Sequence, residues 1–205
     1  PMEPPAGGLD RFPEIADPRR RTHAAMLAAM DDEIGRVLDA LRRHGLDERT
    51  LLFFLSDNGG PTRQTTSRND PLRGYKGEVH EGGIRVPFLV RWPGQVPAGT
   101  VDDRPVIALD IAPTALAAAG VAAPDAPALD GVDLLPYLRG SAQGRPHDAL
   151  FWRYGAQSAA RVGDWKLVVR GGEAEIYDLA ADVGELQDLA ASEPAKLAEL
   201  TRAWA

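Results

Sequence analysis

Two short apolar runs, residues 51–55 and 86–92, each meet a glycine-rich polar block, and this arrangement constrains the fold more than any other feature. The first run ends in Ser56-Asp57-Asn58-Gly59-Gly60. The second follows Gly74-Tyr75-Lys76-Gly77-Glu78-Val79-His80-Glu81-Gly82-Gly83-Ile84-Arg85. Runs this short, rich in Leu, Phe and Val, suit buried parallel strands, with Pro87 near the start of the second. Paired glycines after a strand allow a sharp turn, which sets Asp57 and Asn58 at the strand's carboxyl end, where open α/β sheets bind their ligands. The expected fold class is therefore α/β.

The side chains at that turn carry a definite chemistry. Asp57 and Asn58 both offer oxygen, the donor that Ca²⁺ or Mg²⁺ prefers, whereas a Zn²⁺ site calls for His or Cys. Lys76, held between glycines, adds a point charge suited to a tetrahedral oxyanion. Taken alone, the Asp-Asn-Gly-Gly string reads more readily as a polar turn. The lysine block is what makes the pair a candidate metal-and-anion site.

The order of these blocks resembles that of the sulfatase family in the alkaline-phosphatase-like superfamily. The resemblance takes in the helical stretch at residues 26–41, the Ser-Asp-Asn-Gly-Gly turn and the block from Arg73 to Pro87. It extends to Asp164-Trp165-Lys166-Leu167 and Ile176-Tyr177-Asp178-Leu179. It implies a partial alkaline-phosphatase-like sandwich (1–125) with a small carboxyl-terminal subdomain of antiparallel sheet plus helix (126–205). It also implies hydrolysis of sulfate esters by a formylglycine nucleophile and one divalent cation, Ca²⁺ or Mg²⁺. Asp57 and Asn58 would be two ligands of that cation, Asp57 would help activate the nucleophile, and Lys76 would contact the sulfate. The substrate would be a sulfated small molecule or carbohydrate.

Arg73 and His80 are further candidates for substrate contact. An imidazole titrates near neutral pH and could protonate a leaving group, although packing is the more frequent role at this position. Glu78 and Glu81 could bind a metal chemically, but the resemblance gives that role to neither. The family's nucleophile arises from Cys or Ser in Cys/Ser-x-Pro-x-Arg, and the sequence has neither this motif nor any cysteine. The family's acidic amino-terminal ligands and its earlier Lys and His are also missing, and Pro1-Met2-Glu3-Pro4-Pro5 resembles the stretch after the family's His-x-Pro motif. These features lead us to expect the carboxyl-terminal portion of a longer sulfatase, inactive by itself. A phosphate or phosphonate ester hydrolase of the same superfamily is the alternative enzyme, and a non-catalytic binding module the alternative without chemistry.

Composition narrows the remaining classes. With 205 residues, 44% hydrophobic and 26% charged, the chain is ordinary for a globular protein with a substantial core. A formal net charge of −7 disfavours nucleic acid as a partner, since a phosphate backbone rewards clustered basic surface. No stretch is apolar for the length of a membrane span. The absence of cysteine excludes a disulfide framework and thiolate metal ligands, while leaving periplasmic, secreted and cytoplasmic locations equally open.

Local patterns supply the rest. Asp17-Pro18 caps and starts a helix expected to run to His44, with Met26, Leu27, Met30, Ile34, Val37, Leu38 and Leu41 forming one face against a sheet and Gly45 ending it. Asp31 and Asp32, neighbours on that helix, diverge by about 100° and cannot act on one atom. Residues 61–71 read as a mobile active-site loop whose Arg63 and Arg68, with Arg73 just beyond, could hold an anion. Asp110-Ile111-Ala112-Pro113-Thr114 opens a structural helix, and residues 121–127 are the best candidate boundary. Beyond Pro146, short runs at 149–154, 158–162, 165–170 and 174–177 predict an antiparallel meander, followed by a helix from Pro194 with Leu197, Leu200 and Trp204 on one face.

Overall fold

The computed structural model describes residues 2–122 and 127–204. Helix α1 spans Pro18–Arg43, and Asp17 caps it by accepting a 2.6 Å hydrogen bond from the Arg20 amide. Proline at the first helical position supplies a preset φ where no amide hydrogen is needed. At the other end the His44 amide returns to the Ala40 carbonyl and Gly45 turns the chain with φ of 65°.

The expected packing of α1 on a sheet is not what the structure shows. Ala25 is its one fully buried residue among those described, while Leu27, Met30 and Val37 remain 47%, 47% and 57% exposed. Its close neighbours are short turns at Gly8–Arg11 and Asp47–Arg49 and a one-turn helix α2, Thr62–Thr65. Lengths explain this. A 26-residue helix runs about 39 Å, whereas strands β1 (Leu52–Leu55) and β2 (Phe88–Arg91) have four residues each and reach about 13 Å. A two-stranded ribbon cannot cover such a helix.

The strands also correct the expected direction. β1 and β2 pair antiparallel, from Leu52↔Arg91 to Leu55↔Phe88, and the Ser56 amide continues the ladder to the Pro87 carbonyl at 3.3 Å. A parallel pair would require the linking segment to carry the chain back to the starting end of β1. Residues 56–87 instead double back at its far end, through α2 and the one-turn helix α3, Glu81–Ile84. Nor is either strand fully buried, and Leu89 is 55% exposed.

Helix α4 (Ile111–Ala118) follows a turn at Ala108–Asp110, and a one-turn helix α5 spans Leu135–Leu138. The Asp110 carboxylate is buried and accepts from the Ile107 and Val132 amides, with the His147 ring at 2.9 Å. This supports a structural reading of Asp110. The candidate boundary at 121–127, and with it the division at 125/126, falls on residues 123–126, outside the described residues.

The meander forms as the turn pattern predicts. Strands β3 (Ala149–Tyr154), β4 (Gln157–Val162), β5 (Trp165–Arg170) and β6 (Glu173–Asp178) pair in sequence order, each antiparallel to the next. Helix α6 (Pro194–Trp204) lies over one face, where Leu200 is buried with Ala160, Leu167 and Ile176 and flanked by Leu197 and Trp204. The other face gathers Ala159, Val168, Tyr177, Leu179 and Trp152 around Val79, a residue of the lysine block. Sandwiched between α6 and that block, the sheet buries apolar residues on both faces, Ala160, Leu167 and Ile176 on one and Ala159, Val168 and Tyr177 on the other. No helix of the described residues is long and apolar enough to cross a membrane.

Candidate metal and anion site

Three backbone segments meet with no room for side chains between them. The turn after β1, the lysine block and α3 are joined by hydrogen bonds from Gly59 N to Gly83 O (2.9 Å), Gly82 N to Arg73 O (2.7 Å) and Lys76 N to Gly60 O (3.4 Å). A Cβ on Gly59 would lie 1.7 Å from the Gly82 carbonyl oxygen, and one on Gly83 would lie 2.0 Å from that of Glu78. The glycines therefore serve close approach. Asn69 completes the junction, accepting from the Gly60 amide at 2.9 Å and donating to the Gly60 and Gly74 carbonyls.

This junction joins the turn that carries Asp57 and Asn58 to the block that carries Lys76. Asp57 and Lys76 are exposed, and neither side chain makes a hydrogen bond or ion pair among the described residues. Lys76 stands on a tight turn closed by Glu78 N to Tyr75 O at 3.0 Å, with Gly77 at φ 92° in the position that demands a left-handed residue. Asn58 donates through Nδ2 to the Gly59 carbonyl at 3.1 Å, which leaves its Oδ1 as an acceptor. A free carboxylate beside a free amide oxygen is a donor set that fits a hard cation. Among the described residues, no group of three or more His, Asp or Glu side chains is arranged to hold a metal.

Arg73 and His80 lie elsewhere. Arg73 donates to the Tyr177 hydroxyl (2.7 Å) and the Glu185 carbonyl (3.0 Å), across a seam with the meander. His80 is fully buried in the same seam, 3.5 Å from the Glu175 carboxylate and edge-on to the Tyr177 ring, and neither ring nitrogen has a hydrogen-bond partner. Both face the meander rather than the exposed turn of Lys76. Residues 61–71 are less open than expected: they include α2, are pinned by Asn69, and set the Arg63 guanidinium 4.8 Å from the Tyr75 ring centre. Arg68 is exposed.

Burial, and then repulsion from Arg73, hold the His80 imidazole below its ordinary range. Folded His80 thus takes up a proton less readily than the unfolded chain does, so its contribution to stability is complete above the ordinary value of 6.5 and declines as the pH falls below it. Urea unfolding at about pH 7.5 and about pH 5.5 should show the wild type losing more stability on acidification than His80→Phe. Equal losses would show that His80 is not the group responsible.

One cluster escaped sequence reasoning. Lys166 Nζ lies 2.8 Å from both Glu81 Oε1 and Glu185 Oε1, and all three side chains are almost wholly buried. Glu185 also accepts from the Glu81 amide at 2.6 Å, and Arg85 reaches the other oxygen of Glu81 at 3.7 Å. Burial lifts the Glu185 carboxyl above its ordinary range, against the pull of Lys166. Lys166 is the second residue of β5, and nothing in its local sequence points to Glu81 or Glu185. Glu81, chemically able to bind metal, is instead committed to this ammonium.

Comparison with known proteins identifies the family and the fold. The family model described as Sulfatase matches residues 4–121, and that described as N-sulphoglucosamine sulphohydrolase, C-terminal, matches residues 75–202. Steryl-sulfatase of Mus musculus is 43% identical over 129 residues, 60% of this chain and 21% of that protein. A sulfatase of Formosa agariphila is 31% identical over 225 residues, 92% of this chain and 40% of that protein. Among solved structures, Ps i-CgsB in complex with k-i-k-neocarrahexaose shares 32% identity and superimposes with a TM-score of 0.92, covering 100% of this chain and 46% of that one. The phosphonate monoester hydrolase of Agrobacterium radiobacter gives 0.71 at 28% identity, over 90% of this chain and 40% of its own. The chain spans less than half the length of each of these relatives. The α/β architecture with antiparallel sheets is the one these structures share, and with the Sulfatase model matching more than half of its residues, this chain belongs to the sulfatase family.

Proposed function

We propose that these residues serve a sulfuric ester hydrolase, supplying part of its cation site and one of its sulfate contacts. The observation that supports this reading is the backbone junction, in which the turn carrying Asp57 and Asn58 is hydrogen-bonded to the block carrying Lys76. Asp57 and Asn58 would hold Ca²⁺ or Mg²⁺, and Asp57 would also help activate the nucleophile. Such a cation, when bound, polarises a sulfate oxygen. Lys76 stabilises the negative oxygens of the anion from a backbone position held by the turn. The chain has no cysteine and no Ser-x-Pro-x-Arg sequence to provide a formylglycine, so chemistry at sulfur depends on a group that these 205 residues do not contain. By themselves they are expected to leave para-nitrophenyl sulfate intact.

The substrate class is a sulfated small molecule or carbohydrate. The structural likeness to a protein crystallised with k-i-k-neocarrahexaose supports the carbohydrate. A phosphonate ester is the second reading, supported by the likeness to a phosphonate monoester hydrolase. In the active whole protein, Lys76→Ala should lower kcat/KM for para-nitrophenyl sulfate by about 100-fold, the range seen when one preorganised donor to a developing oxyanion is removed. Its unfolding midpoint should not move, because Lys76 is exposed and unpaired among the described residues. Unchanged turnover would remove Lys76 from the site, and faster turnover of phenylphosphonate esters than of sulfate esters would favour the second reading.

A further inference from the structure

Trp152 and Tyr154 of β3 lie toward the lysine block. Trp152 packs on the cluster around Val79, whereas Phe151 and Arg153 turn to the opposite face and meet Trp204 of α6. Alternation along a strand sends Tyr154 to the same side as Trp152. There its ring edge comes to 3.6 Å from the Cβ position of Gly77, the residue after Lys76. Tyr154 pairs with Gln157 across a two-residue turn, and Gln157 donates through Nε2 to the Gly77 carbonyl at 3.1 Å. The hairpin tip is thus fastened to the lysine turn. Even so, the Tyr154 ring is 62% exposed and its hydroxyl has no partner among the described residues.

Scattered exposed aromatics need no explanation, but this one is a rigid ring anchored beside an anion-binding lysine. We propose that Tyr154 is a substrate-positioning platform, stacking on the sugar ring whose sulfate Lys76 holds. This rests on the sulfatase reading and deepens it by selecting carbohydrate sulfates over small aryl ones. Polar groups belong to the same corner: Gln157, the cross-strand partner of Tyr154, donates to Gly77, and Arg170, the next partner across the sheet, pairs with Glu78 at 3.6 Å. Tyrosine suits the task because two torsions present a large apolar face with a polar tip.

The test is steady-state kinetics of the active whole protein on three probes: para-nitrophenyl sulfate, a sulfated carrageenan hexasaccharide and a heparin disaccharide. Tyr154→Ala should lower kcat/KM about 10-fold on whichever saccharide the wild type cleaves, mostly through KM, the loss expected for one aromatic stacking contact. Para-nitrophenyl sulfate should be cleaved within about twofold of wild type, and Tyr154→Phe should retain most of the saccharide activity. Equal losses on aryl and saccharide substrates would overturn the proposal in favour of a structural role, as would no loss on either. A wild type that cleaves only the aryl ester overturns it while leaving the sulfatase reading intact. A wild type that cleaves none of the three overturns both.

Discussion

Replacing Lys166 with methionine is expected to destabilise the protein by about 3–5 kcal/mol, the usual result of removing one partner from a buried ion cluster. Methionine matches the length of the stem, so cavity formation contributes little. The loss arises because Glu81 and Glu185, 3% and 0% exposed, would face each other without the ammonium that bridges them at 2.8 Å. Burial already lifts the Glu185 carboxyl, so part of the strain would be relieved by proton uptake, and the variant should recover stability as the pH is lowered toward 5. Converting both glutamates to glutamine in the same background should restore much of the loss. Urea unfolding monitored by circular dichroism measures each step. A Lys166→Met protein within about 1 kcal/mol of wild type would show that the cluster contributes little to the fold.

Gly59→Ala is the second large effect. Its added methyl would meet the Gly82 carbonyl oxygen at 1.7 Å and the adjoining carbon at 2.7 Å, both backbone atoms with no rotamer to escape into. Overpacking costs about 1–3 kcal/mol where side chains can shift, and more where backbone must move. The displaced strand end carries Asp57 and Asn58, so cation affinity should fall with stability, and calorimetric titration of the whole protein with Ca²⁺ measures it. Gly35→Ala is the control. Gly35 lies inside α1 with open space where a Cβ would go, and alanine there should stabilise by about 0.5–1 kcal/mol. A Gly59→Ala protein that folds and binds Ca²⁺ like wild type would show that the backbone junction does not set the site.

What was legible in the sequence followed from short-range signals. Asp17-Pro18 and Gly45 bracket α1 because capping is a property of a few adjacent residues, and the meander announced itself through apolar runs between glycine turns. The direction of β2 was not legible, since it depends on how residues 56–87 route the chain and not on the composition of either strand. The stripe from Met26 to Leu41 was read correctly as helical, but periodicity says only that a face is apolar, not what covers it. Asp57, Asn58 and Lys76 were singled out because their chemistry stands out in a glycine-rich setting, and the structure adds the backbone junction between their two turns. Lys166 and Glu185 were invisible because their meaning lies in a contact with Glu81 across 85 and 104 residues, and a lone lysine or glutamate gives no sign of its partner.

The seam that joins Val79 and Glu81 to the meander has a consequence for folding. Packing of Val79 and Glu81 on the meander closes a long loop, so the lysine block is expected to order only once the last third of the chain has folded. Amide protons of the lysine block should therefore exchange with solvent as slowly as those of β5, despite the turn's exposed position. Damage to β5, β6 or α6 would then loosen the lysine block as well as the meander itself.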